Sequence, residues 1–570
     1  MSLRAGGEQT ALVQPVRAPR GMVASVHALA SRVGVQVMQA GGNAVDAAVA
    51  VGFALAVVHP QAGNLGGGGF MLIRFADGKT HFIDYREKAP AAATANMYLD
   101  AQGNVIPDAS TIGYRAIGVP GSVAGMVFAE KKYGKLSLEQ VMAPAIKLAQ
   151  EGFPLAAEDA SDLRDDHYLR EFPESRRVFQ RDGNYFKAGE TFRQPDLART
   201  LKRIADNPDD FYHGALAREL AASVQKGGGL ITVDDLAQYE AKEREAVRGS
   251  YRGYEIISAP PPSSGGITLI EILNILEGYN LAKLGRSGQS IHLTMEAFRR
   301  AFFDRAEFLG DPDFSKIPVA QLIDKRYSAA WRESIDPAHA SHSKELQRPA
   351  VFTELEQYAS GHRAAAVPES NSTTHYSIVD SSGNAVAVTT TLNAWCGSRV
   401  TAEGLGFLLN DEMDDFTAKP GVPNMFGLIQ GPANAIGPGK RPLSAMAPTI
   451  VLKDGKLFLV LGSPGGPRII STVANILMGV VDYGLNLQQA VNAPRFHHQW
   501  LPDVAWVEAD FSPDALKLLQ KMGHKVEVGG EESGERELYW SDGECVEVDL
   551  ISNERLGASD RRNHGKAIGF

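Results

Sequence analysis

A hydroxyl-rich segment that enters a strand pattern is the part of this sequence best equipped for chemistry. Residues 371–375 read NSTTH and continue into YSIV. If the chain is cut before Thr373, the new α-amino group has a pKa of roughly 7.7–8.0 and can accept the proton of the adjacent hydroxyl. Thr373 would then be a nucleophile that carries its own base. On this segment alone, an edge strand rich in β-branched threonine is the favoured explanation.

Two further segments of the second half have compositions that suit a binding site. Residues 411–416, DEMDDF, place four carboxylates within five residues, which suits a cationic amine but also an ordinary solvated loop. Residues 462–466, GSPGG, follow a strand pattern and precede a helix pattern. Unpaired backbone N–H groups at such a turn can stabilise a developing oxyanion. The alternative is a plain strand-to-helix turn.

Several common catalytic motifs are missing from the chain. There is no HExxH and no CxxC, and the adjacent His497 and His498 cannot bind one metal from the same face of a strand. Neither Ser122 nor Ser463 has the glycine two residues earlier that a GxSxG serine motif requires. A lone His375 inside a strand pattern is typical of a structural residue. We therefore predict no metal and no cofactor.

Composition and charge restrict the class of partner. The chain has 570 residues and a formal net charge of −10, without a basic cluster, which argues against a nucleic-acid partner. Its two cysteines, Cys396 and Cys545, allow at most one disulfide. The longest apolar run, 47–58, is about half of the ~20 residues of a membrane span. Residues 1–21 have no apolar core of signal-peptide length, so the compartment stays open.

The elements that must position these segments can be predicted from periodicity. Residues 22–58 indicate helix, with Asn43 as a helix cap, and the glycine-rich run 63–69 indicates close backbone packing ahead of a strand hairpin that turns at 76–78. Helical patterns dominate from 119 to about 245 and again over 288–333.

After an aromatic-poor linker at about 336–372, which we expect to be exposed, the pattern becomes strand-rich. Hairpins are predicted for 374–391 and 448–461, and helices near 467–483 and 513–522. Antiparallel hairpins together with helices indicate an α+β fold whose sheets are covered by helices on their outer faces.

Long motifs of this chain resemble those of the γ-glutamyltransferases, also called glutathione hydrolases, which are N-terminal-nucleophile hydrolases. In the second half these are TTHYSIVD, TLNAWCG, LLNDEMDDF, KPGVPN, GKRPLSAMAPTI, GSPGGPRII and NAPRFHHQWLP, in the family's order. GGNAVDAAVA, GNLGGGGFML and DYREKAP extend the likeness through the first half. The resemblance covers nearly everything after about residue 20.

The resemblance implies a four-layer αββα sandwich built from two subunits of one precursor. The precursor would cut itself between Ser372 and Thr373, giving a large subunit, 1–372, and a small catalytic subunit, 373–570, that stay together. The linker would then move away from the pocket. A periplasmic or secreted location is also implied, and a cytoplasmic one stays open.

The resemblance also implies roles for individual residues. Thr373 would take the γ-glutamyl group from glutathione or a related amide and pass it to water or to an amino acid or peptide acceptor. Thr391 would hydrogen-bond the nucleophile, and Thr374 lies beside it. Gly465 and Gly466 would form the oxyanion hole. In the donor site, Arg86 would hold the α-carboxylate, and Asn393, Glu412 and Asp415 would receive the α-ammonium.

Two positions depart from the family pattern. The family usually has two serines where this chain has Ser444 and Ala445, so one hydroxyl donor to the carboxylate is absent. Phe426 occupies a lid position where some relatives have tyrosine. Two alternatives to a γ-glutamyl enzyme remain, namely an acylase for another amide, such as a glutaryl or cephalosporin side chain, and an inactive, uncleaved binding homologue.

Overall fold

A computed structural model describes residues 13–357, 372–529 and 540–570 of the chain. These residues form a mixed α+β fold with two seven-stranded sheets in which all neighbouring strands are antiparallel. The strands are β1 (Val16–Ala18), β2 (Met22–Ser25), β3 (Gly68–Arg74), β4 (Thr80–Asp84), β5 (Phe153–Pro154), β6 (Gln180–Arg181), β7 (Asn184–Tyr185), β8 (Thr191–Phe192), β9 (Lys242–Arg244), β10 (Val247–Tyr251), β11 (Tyr254–Ser258), β12 (Ser372–Val379), β13 (Ala385–Asn393), β14 (Thr449–Lys453), β15 (Lys456–Leu461), β16 (Phe496–His497), β17 (Ala505–Glu508), β18 (Val526–Gly529), β19 (Cys545–Val548), β20 (Arg555–Ala558) and β21 (Lys566–Gly569).

The helices fall mainly in the first 335 residues. They are α1 (Ala28–Gln39), α2 (Ala44–Val58), α3 (Ser122–Tyr133), α4 (Leu138–Glu151), α5 (Ala157–Asp165), α6 (Pro173–Phe179), α7 (Pro195–Asp206), α8 (Asp210–His213), α9 (Ala215–Lys226), α10 (Val233–Ala237), α11 (Gly265–Leu276), α12 (Leu281–Leu284), α13 (Gly288–Phe308), α14 (Val319–Leu322), α15 (Lys325–Glu333), α16 (Arg468–Val481), α17 (Leu487–Asn492) and α18 (Pro513–Lys521). Within the described ranges, no helix combines the length and the hydropathy that a bilayer crossing requires.

The two large sheets contact each other at their central strands. The first has the order β1-β20-β19-β15-β14-β11-β10 and the second β21-β2-β12-β13-β3-β4-β9, and β12 and β13 contact β15. Side chains of β3 alternate between two cores, because Phe70 and Leu72 join the cluster shared with the first sheet whereas Met71 and Ile73 join the one under α2. Helix α2 packs on β12 and β13, and α11 packs on β10 and β11.

The helix predicted over 22–58 is correct in part. Asn43 caps α2, with a reciprocal hydrogen bond from its own N–H to Asp46, and all residues of the helix are buried. The predicted cap is therefore confirmed. The helix predicted over 22–58 begins too early, because 22–25 form β2, which pairs with β12 and β21. A four-residue apolar run has no period that separates strand from helix.

The predicted hairpins are confirmed as the pairs β3–β4, β12–β13 and β14–β15. The described part of the linker predicted for 336–372 is largely exposed, although a few of its residues pack against the protein. Ser343 and Leu355 are buried there, and the Nε of Arg348 donates to Asp304 at 2.6 Å. The remainder of that linker, 358–371, lies outside the described residues.

Strand register brings the predicted nucleophile into the centre of the second sheet. Thr373 on β12 faces Thr391 on β13, and Thr391 in turn faces Gly68 on β3. A Cβ at Gly67 would lie 2.0 Å from the Thr391 carbonyl oxygen, so the glycine-rich run packs backbone against backbone as predicted. The register also shifts between Ser372 and Thr373, which interrupts the regular ladder at the bond that precedes the predicted nucleophile.

Candidate active site

Thr373 is held by a second threonine. Its Oγ1 lies 3.0 Å from Oγ1 of Thr391, and the Asn393 N–H donates to that same Thr391 oxygen at 2.9 Å. A hydroxyl that accepts a hydrogen bond still has its own proton to donate, so Thr391 can donate to the Thr373 oxygen. The Thr373 side chain is buried at the floor of a cavity.

The turn at 465–466 has the backbone geometry of an anion-binding site. Gly465 and Gly466 have φ of +120° and +53°, and a Cβ on Gly465 would meet Oγ of Ser541 at 1.9 Å. Their carbonyls accept from the N–H groups of Arg468 and Ile469 at the start of α16. Among the described residues we find no acceptor for their own N–H groups, which suits stabilisation of an oxyanion.

A small cavity lies above Thr373. It brings together residues from both halves of the chain, and of the predicted catalytic and substrate-binding residues only Gly465 does not line it. The predicted residues that line it are Thr373, Thr391, Gly466, Arg86, Asn393, Glu412, Asp415, Ser444 and Ala445. Residues that sequence reasoning did not place there as site groups are Arg305, Leu428, Met446 and Ile469.

Arg86 contacts the acidic residues directly. Its Nη1 pairs with Glu412 and its Nη2 with Asp415, and its Nε donates to the Pro442 carbonyl at 3.2 Å. The guanidinium is 1% exposed. Burial opposes its charge, but the neighbouring carboxylates outweigh that effect and hold the pKa of Arg86 above its ordinary value.

The acidic run is a buried cluster, so a solvated surface loop is the wrong interpretation of it. Asp414 accepts from Ser110 Oγ at 2.7 Å and from the Met425 N–H at 3.0 Å. Burial raises the pKa of Asp414 to about 6. Burial also raises the pKa of Glu87 to about 7, although the charge of Arg86 opposes that rise. Glu87 lies 3.7 Å from Arg86. Burial raises the pKa of Glu412 as well.

The remaining predicted residues form the walls of the cavity. Asn393 has a left-handed backbone, φ +78°, and its Nδ2 donates to the Asp411 carbonyl at 3.1 Å. Ser444 Oγ accepts from the Met446 N–H at 3.0 Å, whereas Ala445 presents only a methyl group. Phe426 lines the cavity, and its segment is held where Asn424 Nδ2 donates to Asp415 at 3.3 Å.

Arg305 is the charged cavity residue that sequence reasoning missed. It lies in the last turn of α13 and is 2% exposed. The helix was predicted, and a charged residue on an otherwise apolar face of it is the signal that could have singled out Arg305. Which of the arginines on that helix reaches the cavity depends on how α13 packs.

His375 has the surroundings of a structural residue. It is fully buried, and its ring nitrogens hydrogen-bond Thr389 Oγ1 at 2.9 Å and Ser377 Oγ at 3.1 Å. Burial lowers its pKa to about 3, so the ring is neutral throughout the physiological range.

If the chain is cut before Thr373 and Thr373 is the nucleophile, this arrangement predicts how activity depends on pH. The Thr373 α-amine is a base only when unprotonated, so activity should rise with pH through its reference pKa of about 7.7–8.0 and be lost as pH falls. His375→Asn should keep most of the turnover per active site, counted by the acyl-enzyme burst. A loss of about 10²-fold or more, the scale for removing a general base, would make the histidine the base. Glu87→Gln is the control for the pH profile, because Glu87 also has a pKa of about 7 and could contribute to that profile.

Two clusters outside the cavity approach the geometry of a metal site. They are His27, Asp159 and His564, and His292, Glu296 and His524. In the first cluster, His27 Nδ1 accepts from the Leu29 N–H at 3.2 Å, so Nε2 carries the ring proton. Neither ring nitrogen of His27 then has a lone pair to offer a metal. In the second, Glu296 already pairs with Arg299 and Arg300, whose charges oppose a cation. The hydrogen bonds thus explain both clusters as structural.

The fold and the cavity together identify an enzyme that transfers or hydrolyses acyl groups. Residues 30–570 match the family model described as Gamma-glutamyltranspeptidase, so the chain belongs to the gamma-glutamyltranspeptidase family. A glutathione hydrolase proenzyme from Pseudomonas sp. (strain A14) is 51% identical over 98% of this chain and 95% of that protein. The glutathione hydrolase proenzyme of Escherichia coli K12 is 52% identical over 91% of this chain and 88% of its own length.

A solved structure extends the likeness to the whole fold. The crystal structure of a cephalosporin acylase from Bacillus halodurans aligns with a TM-score of 0.84 at 26% identity, covering 100% of this chain and 99% of that one. The same fold is thus found in proteins whose names specify different amide substrates.

Proposed function

We propose that this chain is the precursor of a glutathione hydrolase and γ-glutamyltransferase. The enzyme moves the γ-glutamyl group of glutathione, or of a related γ-glutamyl amide, to water or to an amino acid or peptide acceptor. The observation that carries the proposal is one buried cavity that combines the Thr373 hydroxyl with the Arg86, Glu412 and Asp415 charge cluster. The full-length likeness to two glutathione hydrolase proenzymes supports it.

The proposal includes self-cleavage of the chain into two subunits, 1–372 and 373–570, within a four-layer αββα sandwich. Contacts between the two sheets, with α2 and α11 on their outer faces, support the layered arrangement. In the cleavage step Thr373 Oγ1 attacks the Ser372 carbonyl carbon, and the C–N bond breaks as an ester forms. Water then hydrolyses the ester, which leaves a carboxylate on Ser372 and a free α-amine on Thr373.

The freed α-amine then serves as the base for acyl transfer. It removes the Thr373 hydroxyl proton while the oxygen attacks the γ-carbonyl of the donor, and the proton passes to the leaving amine. The N–H groups of Gly465 and Gly466 hold the negative charge that develops on the carbonyl oxygen. Water or an acceptor amine resolves the resulting ester on Thr373 and regenerates the enzyme.

Donor recognition follows from the charges beside the nucleophile. A γ-glutamyl group carries its α-carboxylate and α-ammonium on a single carbon, so adjacent cationic and anionic side chains match it. The direct contacts of Arg86 with Glu412 and Asp415 would be exchanged for contacts of Arg86 with the carboxylate and of the two acids with the ammonium. Asn393 lines the same wall and offers a further acceptor. A planar guanidinium can bind a carboxylate through two parallel N–H···O hydrogen bonds.

Hydrolysis of γ-glutamyl and glutaryl anilides, assayed side by side, tests the proposal. A γ-glutamyl enzyme should favour the first substrate, because only that substrate carries the ammonium that the acidic cluster binds. A preference for the glutaryl anilide would instead favour an acylase, the second candidate, which Ala445 and the cephalosporin acylase fold support. A single uncleaved chain without activity would indicate a binding homologue. The implied periplasmic or secreted location stays a prediction for cell fractionation.

Restoring the missing hydroxyl should strengthen donor binding. Ala445→Ser adds a donor to the wall that would face the α-carboxylate, and a hydrogen bond to a charged group contributes about 1.5–3 kcal/mol. We expect kcat/KM for γ-glutamyl anilide to rise roughly tenfold, at about 1.4 kcal/mol per tenfold. The 4-aminobutanoyl anilide, which lacks the carboxylate, is the control. An equal change on both substrates would contradict a contact with the carboxylate.

A further inference from the structure

Arg305 enters the cavity from α13, a helix that carries none of the predicted site residues. Its Nε donates to Ser264 Oγ at 2.8 Å, and that oxygen donates to the Ser444 carbonyl at 2.6 Å. The chain of hydrogen bonds thus ties Arg305 to the wall formed by Ser444 and Ala445. Only the Nε edge of the guanidinium is anchored in this way, so the opposite edge is free to serve a ligand.

Arg305 forms no ion pair among the described residues, although Asp415 is close enough to favour its charge. No carboxylate lies within 4.0 Å of it there, and its buried Nη1 has no hydrogen-bond acceptor. Arg300, on the same helix, shows the usual arrangement, because its Nη1 donates to Glu296 at 2.6 Å. An unpaired buried charge is costly to a folded protein. Burial lowers the pKa of Arg305 to about 10, with Asp415 opposing the shift, so the group remains charged at neutral pH.

Arg86 by itself is less available to bind the α-carboxylate of the donor than the family resemblance implies. Its two terminal nitrogens already contact Glu412 and Asp415, and its Nε donates to a backbone carbonyl. The hydroxyl that a second serine would supply is absent at Ala445. Of the two guanidinium groups that line the cavity, Arg86 is therefore already paired, whereas Arg305 forms no ion pair with a described residue.

We propose that Arg305 binds the α-carboxylate of the donor, beside Arg86, and so determines specificity for acyl groups that end in a carboxylate. This inference rests on the proposed function, since it assigns a residue to its donor site. With two guanidinium groups on the carboxylate and the acidic cluster on the ammonium, each pole of the donor meets charges of opposite sign.

Three anilide substrates distinguish recognition of the donor's α-carboxylate from recognition of its α-ammonium. The γ-glutamyl anilide carries both charged groups, the glutaryl anilide only the carboxylate, and the 4-aminobutanoyl anilide only the ammonium. Arg305→Gln should lower kcat/KM by about tenfold or more on the two carboxylate substrates, the scale of losing a hydrogen bond to a charged group. It should leave the 4-aminobutanoyl anilide unchanged. Arg305→Lys should give a smaller loss on the same two substrates, because lysine keeps the charge but loses the planar fork.

The outcomes separate this inference from the proposed function. An equal loss on all three anilides, or no loss on any, would overturn the role of Arg305. If the wild-type enzyme does not hydrolyse the γ-glutamyl anilide, the proposed function itself fails. Arg300→Gln is the matched control, because it removes a buried arginine of the same helix that lies outside the cavity. Any damage it causes should affect the three substrates equally.

A crystal structure of the wild-type enzyme with L-glutamate, the acyl product, tests the contact without any variant. We expect α-carboxylate oxygens at hydrogen-bond distance, about 2.7–2.9 Å, from the Arg305 terminal nitrogens. A carboxylate held by Arg86 alone would overturn the proposal. This measurement decides the question even if the Arg305 variants do not mature.

Discussion

Thr373→Ala is expected to remain a single chain of 61.3 kDa, whereas the wild-type protein is expected to separate into 1–372 and 373–570 on a denaturing gel. The cleavage requires an oxygen that can reach the Ser372 carbonyl, and the Thr373 hydroxyl is held 3.0 Å from Thr391 next to that bond. Alanine removes the oxygen without adding bulk. Without cleavage no α-amine forms, so acyl transfer should be lost as well. Intact-mass measurement would fix the cleavage site.

Two variants serve as controls for this result. Thr373→Ser keeps a hydroxyl and should still be cleaved, although more slowly. Thr374→Ala changes the neighbouring threonine, whose buried Oγ1 has no hydrogen-bond partner among the described residues, and it should be cleaved normally. If Thr373→Ala yields the same two fragments as the wild type, self-cleavage at this bond is wrong and an external protease makes the cut.

Arg86→Ala and Asp415→Ala are each expected to lower kcat/KM for a γ-glutamyl anilide by roughly 30-fold or more. Truncating one member of a buried, hydrogen-bonded charge pair typically costs about 2–5 kcal/mol, and both residues line the donor cavity. Turnover is counted per matured active site, so that a processing defect is not mistaken for lost binding. Unchanged kcat/KM in either variant would remove that residue from the donor site.

The two variants should differ in substrate pattern and in stability. Asp415→Ala should affect the γ-glutamyl anilide more than the glutaryl anilide, because only the former carries an ammonium. Arg86→Ala should also lower the melting temperature, since it leaves Glu87, Glu412 and Asp415 buried without their shared cation, and breaking such a pair costs about 3–5 kcal/mol. Arg86→Lys, which keeps the charge, should recover part of that loss. Equal melting temperatures for the two Arg86 variants would contradict this account.

Local patterns were sufficient to find the parts of the site that lie within single elements. The alternation after Thr373 predicts β12, the turn residues at 380–384 predict its hairpin with β13, and the glycines at 462–466 predict a turn ahead of α16. Each signal arises from residues close in sequence, where period and turn chemistry act directly. The same reasoning fails at β2, where four apolar residues are too few to show a period.

The roles of the site residues came from resemblance, because spacing along a chain does not show what lies opposite in the fold. The acidic run is compatible with a solvated loop until its neighbours are known, and only the structure buries it around Arg86. Likewise, α13 carries several arginines, and helix packing decides that Arg300 pairs with Glu296 while Arg305 faces the cavity.

The sequence by itself determined the strand of Thr373, the hairpins around it and the glycine turn, because these depend on conformational preferences over a few residues. The tertiary structure decided which charges meet. Thr373, Arg86 and Arg305 come from three distant parts of the chain, and the register of β12, β13 and β3 together with the packing of α13 brings them to one cavity. Burial there lowers the effective dielectric, so the same side chains that would be solvated on a surface interact strongly.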